Sequence, residues 1–203
     1  MSLDIISLAL IRPLLERARI LCLGVPDMSY GLAEEFCGDP GADFSKAALM
    51  AGAALVHSVD VIAHKGYERL VDLNHPQVWP AEYDLVINPG TLEHCFNIGQ
   101  AWANAWAAAA LGGHILHVVP VSMLNHGFWN INPVALHDWC SANGGRVVAE
   151  RYAINGRPGV EVVRERIPQS KSGRGCYPPD TVGYYLCQKH EHQTVWPTQG
   201  VYR

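Results

Sequence analysis

The chain has 203 residues and a mass of 22.3 kDa, the size of one ordinary domain. It is 49% hydrophobic and only 17% charged, with a mean hydropathy of +0.02, which excludes a disordered polar chain and a coiled coil. The formal net charge of -4 provides no basic field for phosphates, so nucleic acid is not an expected partner. We expect a single domain over 1–203, with a core at about 18–190 and a C-terminal tail at 191–203.

The N-terminal segment resembles neither a membrane span nor a signal peptide. Its apolar run Ile5–Ile11 ends at Arg12 and Pro13, far short of the roughly 20 residues that cross a bilayer. An acidic residue, Asp4, stands where a signal peptide would be basic. The sequence therefore predicts a cytoplasmic protein with no membrane partner. The six cysteines form no C-x-x-C pair, which predicts neither a disulfide framework nor a zinc ribbon.

Short apolar runs bounded by glycine, proline or polar residues predict buried strands in the first two thirds of the chain. These strands are 19–24, 54–61, 69–73, 83–87 and 114–120. A helix is predicted between the last two, over 97–111, because Ile98, Trp102 and Trp106 share one face. Gly112 and Gly113 provide the left-handed cap that would end this helix.

A second helix is predicted to begin at Asn132 and Pro133, a cap followed by proline at the first helical position. It would bury Leu136, Trp139 and Cys140 and stop at 143–145. Beyond it, 146–154 and 159–165 read as strands joined by a turn, followed by a polar loop at 167–180 and a strand at 182–188. The whole order predicts an α/β fold, with helices on both faces of a mostly parallel sheet and an antiparallel edge.

Glycine and polar residues follow the predicted strands at the edge where open parallel sheets bind ligands. They are Gly24, Asp27 and Gly31 after the first strand, Asp60 at the end of the second, Asp72 at the third, and Asn88 and Gly90 after the fourth. The apolar Leu73, next to Asp72, is a further candidate for a ligand contact. A carboxylate at the end of the second strand can accept hydrogen bonds from both hydroxyls of a ribose. The first loop lacks the G-x-G-x-x-G pattern of a dinucleotide site, and Asp27 would repel a pyrophosphate. These features favour S-adenosylmethionine (SAM), which has a ribose, a sulfonium and an ammonium but no phosphate.

Several motifs, taken in order, resemble those of class I SAM-dependent methyltransferases. They are Gly24-Val-Pro-Asp27, Asp60 with Asp72-Leu-Asn74, Tyr83 to Ile87 followed by Gly90-Thr-Leu-Glu-His94, Gly112-Gly113, and Asn125-His-Gly-Phe-Trp-Asn-Ile-Asn-Pro133. The G-T-x-E-H and H-G-F/Y motifs are similar to a bacterial branch often suspected of acting on saccharides or other small metabolites. The resemblance covers about 18–145. It implies a Rossmann-like, seven-stranded sheet, SAM as cofactor, a small-molecule acceptor, and cofactor contacts at the residues that follow the strands.

Three residues are candidates for catalysis: His126 first, with Glu93 and His94 as second choices. If the acceptor is a hydroxyl, a general base raises the rate, and the pKa of histidine suits this role. His126 lies in the loop after the fifth strand, beside Phe128 and Trp129, which could stack on a ring of the acceptor. The alternative that His126 only pins its loop through hydrogen bonds stays open.

No metal is predicted from the sequence. Some methyltransferases bind a metal through E-x-x-E-H, but Gly90 stands here in place of the first glutamate. The remaining Glu93 and His94 make a poor octahedral site for magnesium. Two other functions stay open: a non-catalytic SAM-binding or regulatory module of the same fold, and a nicotinamide-dependent oxidoreductase, against which the first loop argues.

Overall fold

The computed structural model describes residues 3–29, 31–80, 82–154 and 177–198. The α-helices in these ranges are α1 (Ile5–Ile11), α2 (Leu32–Cys37), α3 (Phe44–Met50), α4 (Ile98–Ala108) and α5 (Pro133–Ala142). The strands are β1 (Arg19–Leu23), β2 (Leu55–Asp60), β3 (Arg69–Leu70), β4 (Tyr83–Pro89), β5 (Ala109–Ser122), β6 (Gly145–Ile154) and β7 (Thr181–Lys189). The predicted strand 159–165 and most of the predicted loop 167–180 lie outside the described residues.

The seven strands form one sheet in the order β3-β2-β1-β4-β5-β7-β6. The first five strands pair in parallel, and β7 runs antiparallel between β5 and β6. The predicted α/β fold is confirmed, with a mostly parallel, Rossmann-like sheet and an antiparallel arrangement toward one edge. The edge strand β6 pairs with β7 along its whole length, from Gly145 opposite Lys189 to Ile154 opposite Thr181.

The central strands are buried on both faces, because successive side chains point to opposite sides of a sheet and helices cover each side. In β1, Leu21 packs in the core that contains the helix residues Trp106 and Trp139. Its neighbour Ile20 packs in the core on the other face, with residues of α1 and α3. The predicted inward tryptophans of α4 and α5 are thus confirmed. Helix α1 thus contributes side chains to this second core.

Helix α4 ends three residues earlier than predicted. Its last residue is Ala108, and Ala109 already pairs with Tyr83 as the first residue of β5. Gly112 does adopt a positive φ of 78°, but within β5, where the pairing with β4 shifts register. The reason lies in β7: the ammonium of Lys189 donates hydrogen bonds to the carbonyls of Trp106 and Ala109, at 2.8 and 2.7 Å. This distant lysine satisfies the helix end in place of the predicted glycine cap.

Within the described ranges, no α-helix is both long and apolar enough to cross a bilayer. The cysteines in these ranges are free thiols, and all but Cys37 are buried. Burial raises the pKa of Cys22 to about 12, which marks an inert core thiol.

Candidate functional site

The carboxyl ends of β1, β2, β4 and β5 lie along one edge of the sheet, because these strands are parallel. A cavity of about 390 Å³ opens there between the loops that follow β1, β2 and β4. It is lined by Gly24, Val25, Asp27, Asp60, His64, Lys65, Pro89 and Thr91. Three of the predicted cofactor residues, Gly24, Asp27 and Asp60, therefore meet in one cavity.

Asp60 ends β2 and joins two loops at this cavity. Its Oδ2 accepts a hydrogen bond from the backbone N–H of Val25 at 3.3 Å, and its Oδ1 accepts one from Val61 at 2.7 Å. The Nε2 of His64 lies 3.5 Å from Oδ2. The backbone N–H of Ile62 lies 3.4 Å from Oδ1 as a third donor. Since an ionised carboxylate offers about four acceptor sites, at most one site of Asp60 is left for a ligand hydroxyl in the cavity.

Gly24 and Thr91 bring the loops after β1 and β4 into close contact. Gly24 has a φ of 95°, and a Cβ at this position would lie 2.3 Å from the Oγ1 of Thr91. Gly90, with a φ of 86°, turns the β4 loop just before Thr91. Thr91 was not predicted as a site residue, although it stands in the G-T-x-E-H motif. Its contact with the first loop exists only in the folded chain, so the motif was the one feature of the sequence that could have identified Thr91 as a site residue.

Asp27 lines this cavity, whereas Gly31 and Asp72 are not among its lining residues. Asp27 is largely exposed, with the ammonium of Lys65 at 4.0 Å, and it lines a neighbouring cavity of about 410 Å³ together with Gly31. Gly31 precedes α2 as its N-terminal cap. Asp72 accepts hydrogen bonds from the backbone and side-chain N–H groups of Asn74, which lower its pKa.

Two predicted ligand contacts, Leu73 and Asn88, lie in the protein interior instead of in the cavity wall. Leu73 is buried in the hydrophobic core. Asn88 is fully buried, and its Oδ1 accepts hydrogen bonds from the backbone N–H groups of Thr91 and Leu92, at 2.9 and 3.2 Å. Its Nδ2 lies 3.4 Å from the Nδ1 of His117 in β5. Asn88 therefore shapes the loop that carries Thr91, and Leu73 packs beneath the edge.

His117 predicts a pH dependence of stability. Complete burial lowers its pKa from 6.5 to about 4, so the folded chain keeps the imidazole neutral while the unfolded chain protonates it first. Stability is thus lost as pH falls from 6.5 toward 4, by about 2 kcal/mol between pH 7.5 and pH 5 for this group. Urea unfolding measures the free energy of unfolding at these two pH values. In His117→Leu, that free energy should fall by about 2 kcal/mol less between pH 7.5 and pH 5 than in the wild type. His190→Leu, which replaces an exposed histidine, should show the same pH dependence as the wild type. An equal change with pH in all three proteins would contradict the role of His117.

A second polar cluster forms where the turn Leu92–His94 meets the loop after β5. The possible ligand atoms of Glu93, His94 and His126 all lie within 4.8 Å of one another. The Nε2 of His126 is 3.5 Å from the Oε1 of Glu93, and the two imidazole rings stand edge to face with centroids 5.2 Å apart. Gly127 permits this approach, because a Cβ there would lie 2.9 Å from the Glu93 carbonyl oxygen. All three predicted catalytic residues are thus brought together.

Glu93 is the unusual member of this cluster. Its side chain is 0% exposed, and neither carboxylate oxygen accepts a hydrogen bond from the part of the chain that the structure describes. Burial raises the pKa of Glu93 to about 7. Burial and the neighbouring His126 lower the pKa of His94. A buried carboxylate without partners destabilises a fold, and such groups concentrate at functional sites.

Three exposed aromatic rings lie next to this cluster. Phe96 is edge to face with Phe128, with centroids 5.5 Å apart, and lies 6.2 Å from the ring of Trp129. The indole N–H of Trp129 donates to the Cys95 carbonyl at 3.0 Å, and the Phe128 N–H donates to the Glu93 carbonyl at 2.8 Å. Phe128 and Trp129 were predicted as stacking residues. Phe96 was missed, because nothing in its own sequence neighbourhood shows that its ring is exposed beside them.

No family model and no curated protein matches the sequence. Solved structures do resemble the fold. TehB from Haemophilus influenzae aligns with 91% of this chain at a TM-score of 0.55 and 10% identity, and this chain spans 62% of TehB. A protein from Pyrococcus horikoshii described as an RNA methyltransferase aligns at a TM-score of 0.51 and 16% identity, with coverages of 91% and 81%. One from Listeria monocytogenes, described as a SAM-dependent methyltransferase, aligns at 0.50 and 11% identity, with coverages of 87% and 93%. The likeness is one of fold: the chain has the Rossmann-like fold of class I methyltransferases.

Proposed function

We propose that the chain is a SAM-dependent methyltransferase that acts on an oxygen atom of a small molecule, such as a saccharide or a natural-product intermediate. One observation carries this proposal: the loop after β4 contributes residues both to the cavity at the carboxyl ends of the strands and to the cluster with His126. Thr91 lines the cavity that contains Asp60, and Glu93, two residues later, belongs to the cluster with His126. A cofactor in the cavity would therefore lie next to groups that can act on an acceptor.

The cavity suits SAM better than a dinucleotide. Two carboxylates, Asp27 and Asp60, line it beside Lys65 and His64. A carboxylate attracts the sulfonium and ammonium of SAM but repels a pyrophosphate. Asp60 is positioned to accept from a ribose hydroxyl, and the backbone at Gly24 allows close approach. Asp72 would contact the adenine end, while Gly31 and Gly90 shape the surrounding loops. Asn88 contributes by holding the loop that carries Thr91.

His126 is the proposed general base. SAM, when bound, supplies an electrophilic methyl group, and the protein has to orient the acceptor and remove its proton. The Nε2 of His126 has no hydrogen-bond partner among the described residues, but this atom is itself buried and faces the Oε1 of Glu93 at 3.5 Å. The side chain as a whole is 32% exposed, so the ring would have to turn to present a nitrogen to an acceptor hydroxyl. Glu93 would stabilise the protonated imidazole. The rings of Phe128 and Trp129 favour an acceptor that presents a ring face.

Titration calorimetry with SAM tests the cofactor. Wild-type protein is expected to bind SAM and not NAD, and Asp60→Ala is expected to weaken SAM binding by about 1 to 3 kcal/mol, which is about 5-fold to 150-fold. The control is Asp84→Ala, because Asp84 also accepts from a backbone N–H, that of Arg19 at 2.8 Å, but at the opposite edge of the sheet. Its affinity for SAM should equal that of the wild type.

The outcomes separate the alternatives. Unchanged affinity in a folded Asp60→Ala protein would remove the ribose assignment. Binding of NAD without SAM would favour an oxidoreductase. Binding of SAM with no methyl transfer to any hydroxyl-bearing acceptor in a panel of saccharides would favour the non-catalytic module.

A further inference from the structure

We infer that Glu93, His94 and His126 form a binding site for a divalent transition-metal ion of the zinc type. The side chains come from the turn after β4 and the loop after β5, and their ligand atoms lie within 4.8 Å of one another. The sequence-based expectation of no metal counted only Glu93 and His94. The third ligand is absent from that count because it lies far along the chain and joins the others only in the fold.

The state of Glu93 is the independent observation that points to a cation. The side chain is completely buried, and its two carboxylate oxygens accept no hydrogen bond from the described residues. Taking a carboxylate out of water without a partner is costly, so buried carboxylates are ordinarily paired or coordinate a metal. The facing Nε2 of His126 is unpartnered as well. A cation between these atoms would satisfy both.

The ligand set selects the class of ion. Two imidazole nitrogens and one carboxylate oxygen are the protein ligands of many catalytic zinc sites, whereas magnesium and calcium prefer oxygen ligands alone. Ligands bound tetrahedrally at about 2.0 to 2.2 Å are roughly 3.4 Å apart. The 3.5 Å between Glu93 Oε1 and His126 Nε2 already matches this spacing. The two remaining separations both involve His94, whose exposed side chain would have to turn toward the other two ligands.

Such an ion would have a defined place in the chemistry, and only this step rests on the proposed function. Three protein ligands would leave one coordination position free for an oxygen ligand. The exposed rings of Phe128 and Trp129 follow His126 in the same loop. A hydroxyl that coordinated such an ion would lose its proton to bulk water far more readily. In the metal-bound protein His126 would be a ligand, and the ion would take over from it the role of activating the acceptor hydroxyl.

Metal binding can be measured without SAM or any acceptor. Full-length protein stripped with a chelator is titrated with Zn²⁺, Co²⁺ or Mg²⁺ by calorimetry, and the Co²⁺ form is examined for visible absorption. We expect one strong site for Zn²⁺ and Co²⁺ and none for Mg²⁺. Glu93→Gln, His94→Gln and His126→Gln should each weaken Zn²⁺ binding at least 10-fold. His137→Gln is the control, since it disrupts another histidine–carboxylate pair, with Glu150 at 3.1 Å, and should bind Zn²⁺ like the wild type.

Thermal unfolding separates a metal ligand from a structural residue. Zn²⁺ should raise the unfolding temperature of the wild type and not that of Glu93→Gln. Without metal, Glu93→Gln should be about as stable as the wild type, because glutamine keeps the size of the side chain and needs no hydrogen-bonded partner for a charge. No strong Zn²⁺ site in the wild type, or unchanged Zn²⁺ affinity in all three variants, overturns the inference. SAM binding without Zn²⁺ binding rejects the metal site alone, and Zn²⁺ binding without SAM binding rejects the proposed function alone.

Discussion

Alanine in place of Gly24 is expected to weaken SAM binding at least about 100-fold, or about 2.8 kcal/mol. The backbone there has a φ of 95°, which a residue with a Cβ adopts only under strain, and the new methyl group would lie 2.3 Å from the Oγ1 of Thr91. Both residues line the cavity, so relieving the clash must move one of its walls. Calorimetric titration with SAM measures the effect.

Two further variants assign the cause. Gly112→Ala places alanine at a similar φ of 78°, at the far end of β5, where no atom lies within 4 Å of the new Cβ, and it should keep wild-type affinity. Adding Thr91→Ala to Gly24→Ala removes the clashing oxygen and leaves the ordinary 3.5 Å contact with the Cβ of residue 91, so affinity should partly return. Wild-type affinity in Gly24→Ala would show that the cavity is not the cofactor site.

Methionine in place of Lys189 is expected to lower the free energy of unfolding by about 2 to 4 kcal/mol, because two charge-assisted hydrogen bonds in the interior are lost. The ammonium is buried, donates to Trp106 and Ala109, and lies 6.0 Å from the centroid of the Trp106 ring. Methionine keeps most of the apolar stem, which limits the loss from packing. For a chain of this size the midpoint of thermal unfolding should fall by about 5 to 15 °C.

Lys46 provides the comparison for this lysine. Its ammonium pairs with Asp39 at 2.5 Å on the exposed surface, so solvent screens the interaction and Lys46→Met should unfold like the wild type. If Lys189→Met also retained wild-type stability, the carbonyls at the end of α4 would have to be satisfied without the lysine. The end of α4 at Ala108 would then have a cause other than Lys189.

Much of the fold could be predicted because its signals are local. The run 19–24 coincides with β1 to within one residue, and the cap Asn132 followed by Pro133 marks the start of α5, with the Asn132 side chain accepting from the N–H of Val134. Buried parallel strands are continuous apolar runs, and a cap–proline pair has few other uses. The end of α4 was mispredicted for the opposite reason: its partner, Lys189, lies 80 residues beyond Ala109.

For the site, the sequence predicts the edge of the sheet at which a ligand binds, but not which side chains line the cavity there. The rule that ligands bind at the carboxyl ends of parallel strands placed Gly24 and Asp60 at the cavity. The same rule does not say which side chains at that edge point inward, so Leu73 and Asn88 were assigned to the ligand although both are interior. The sequence predicts Glu93 and His126 as candidates for the same catalytic role. That the carboxylate of Glu93 is buried without partners follows only from the folded chain.

The position of β7 has a consequence for how the chain is made. Strand β7 is the last of the seven to leave the ribosome, yet it lies between β5 and β6 and pairs with both. Until residues 181–189 emerge, a nascent chain presents two open strand edges, one of them on the strand that leads into the His126 loop. Open edges invite pairing with other chains, and contacts between distant segments form slowly. Strand β7 therefore completes the sheet, and a chain that lacks it is expected to aggregate through these unpaired edges.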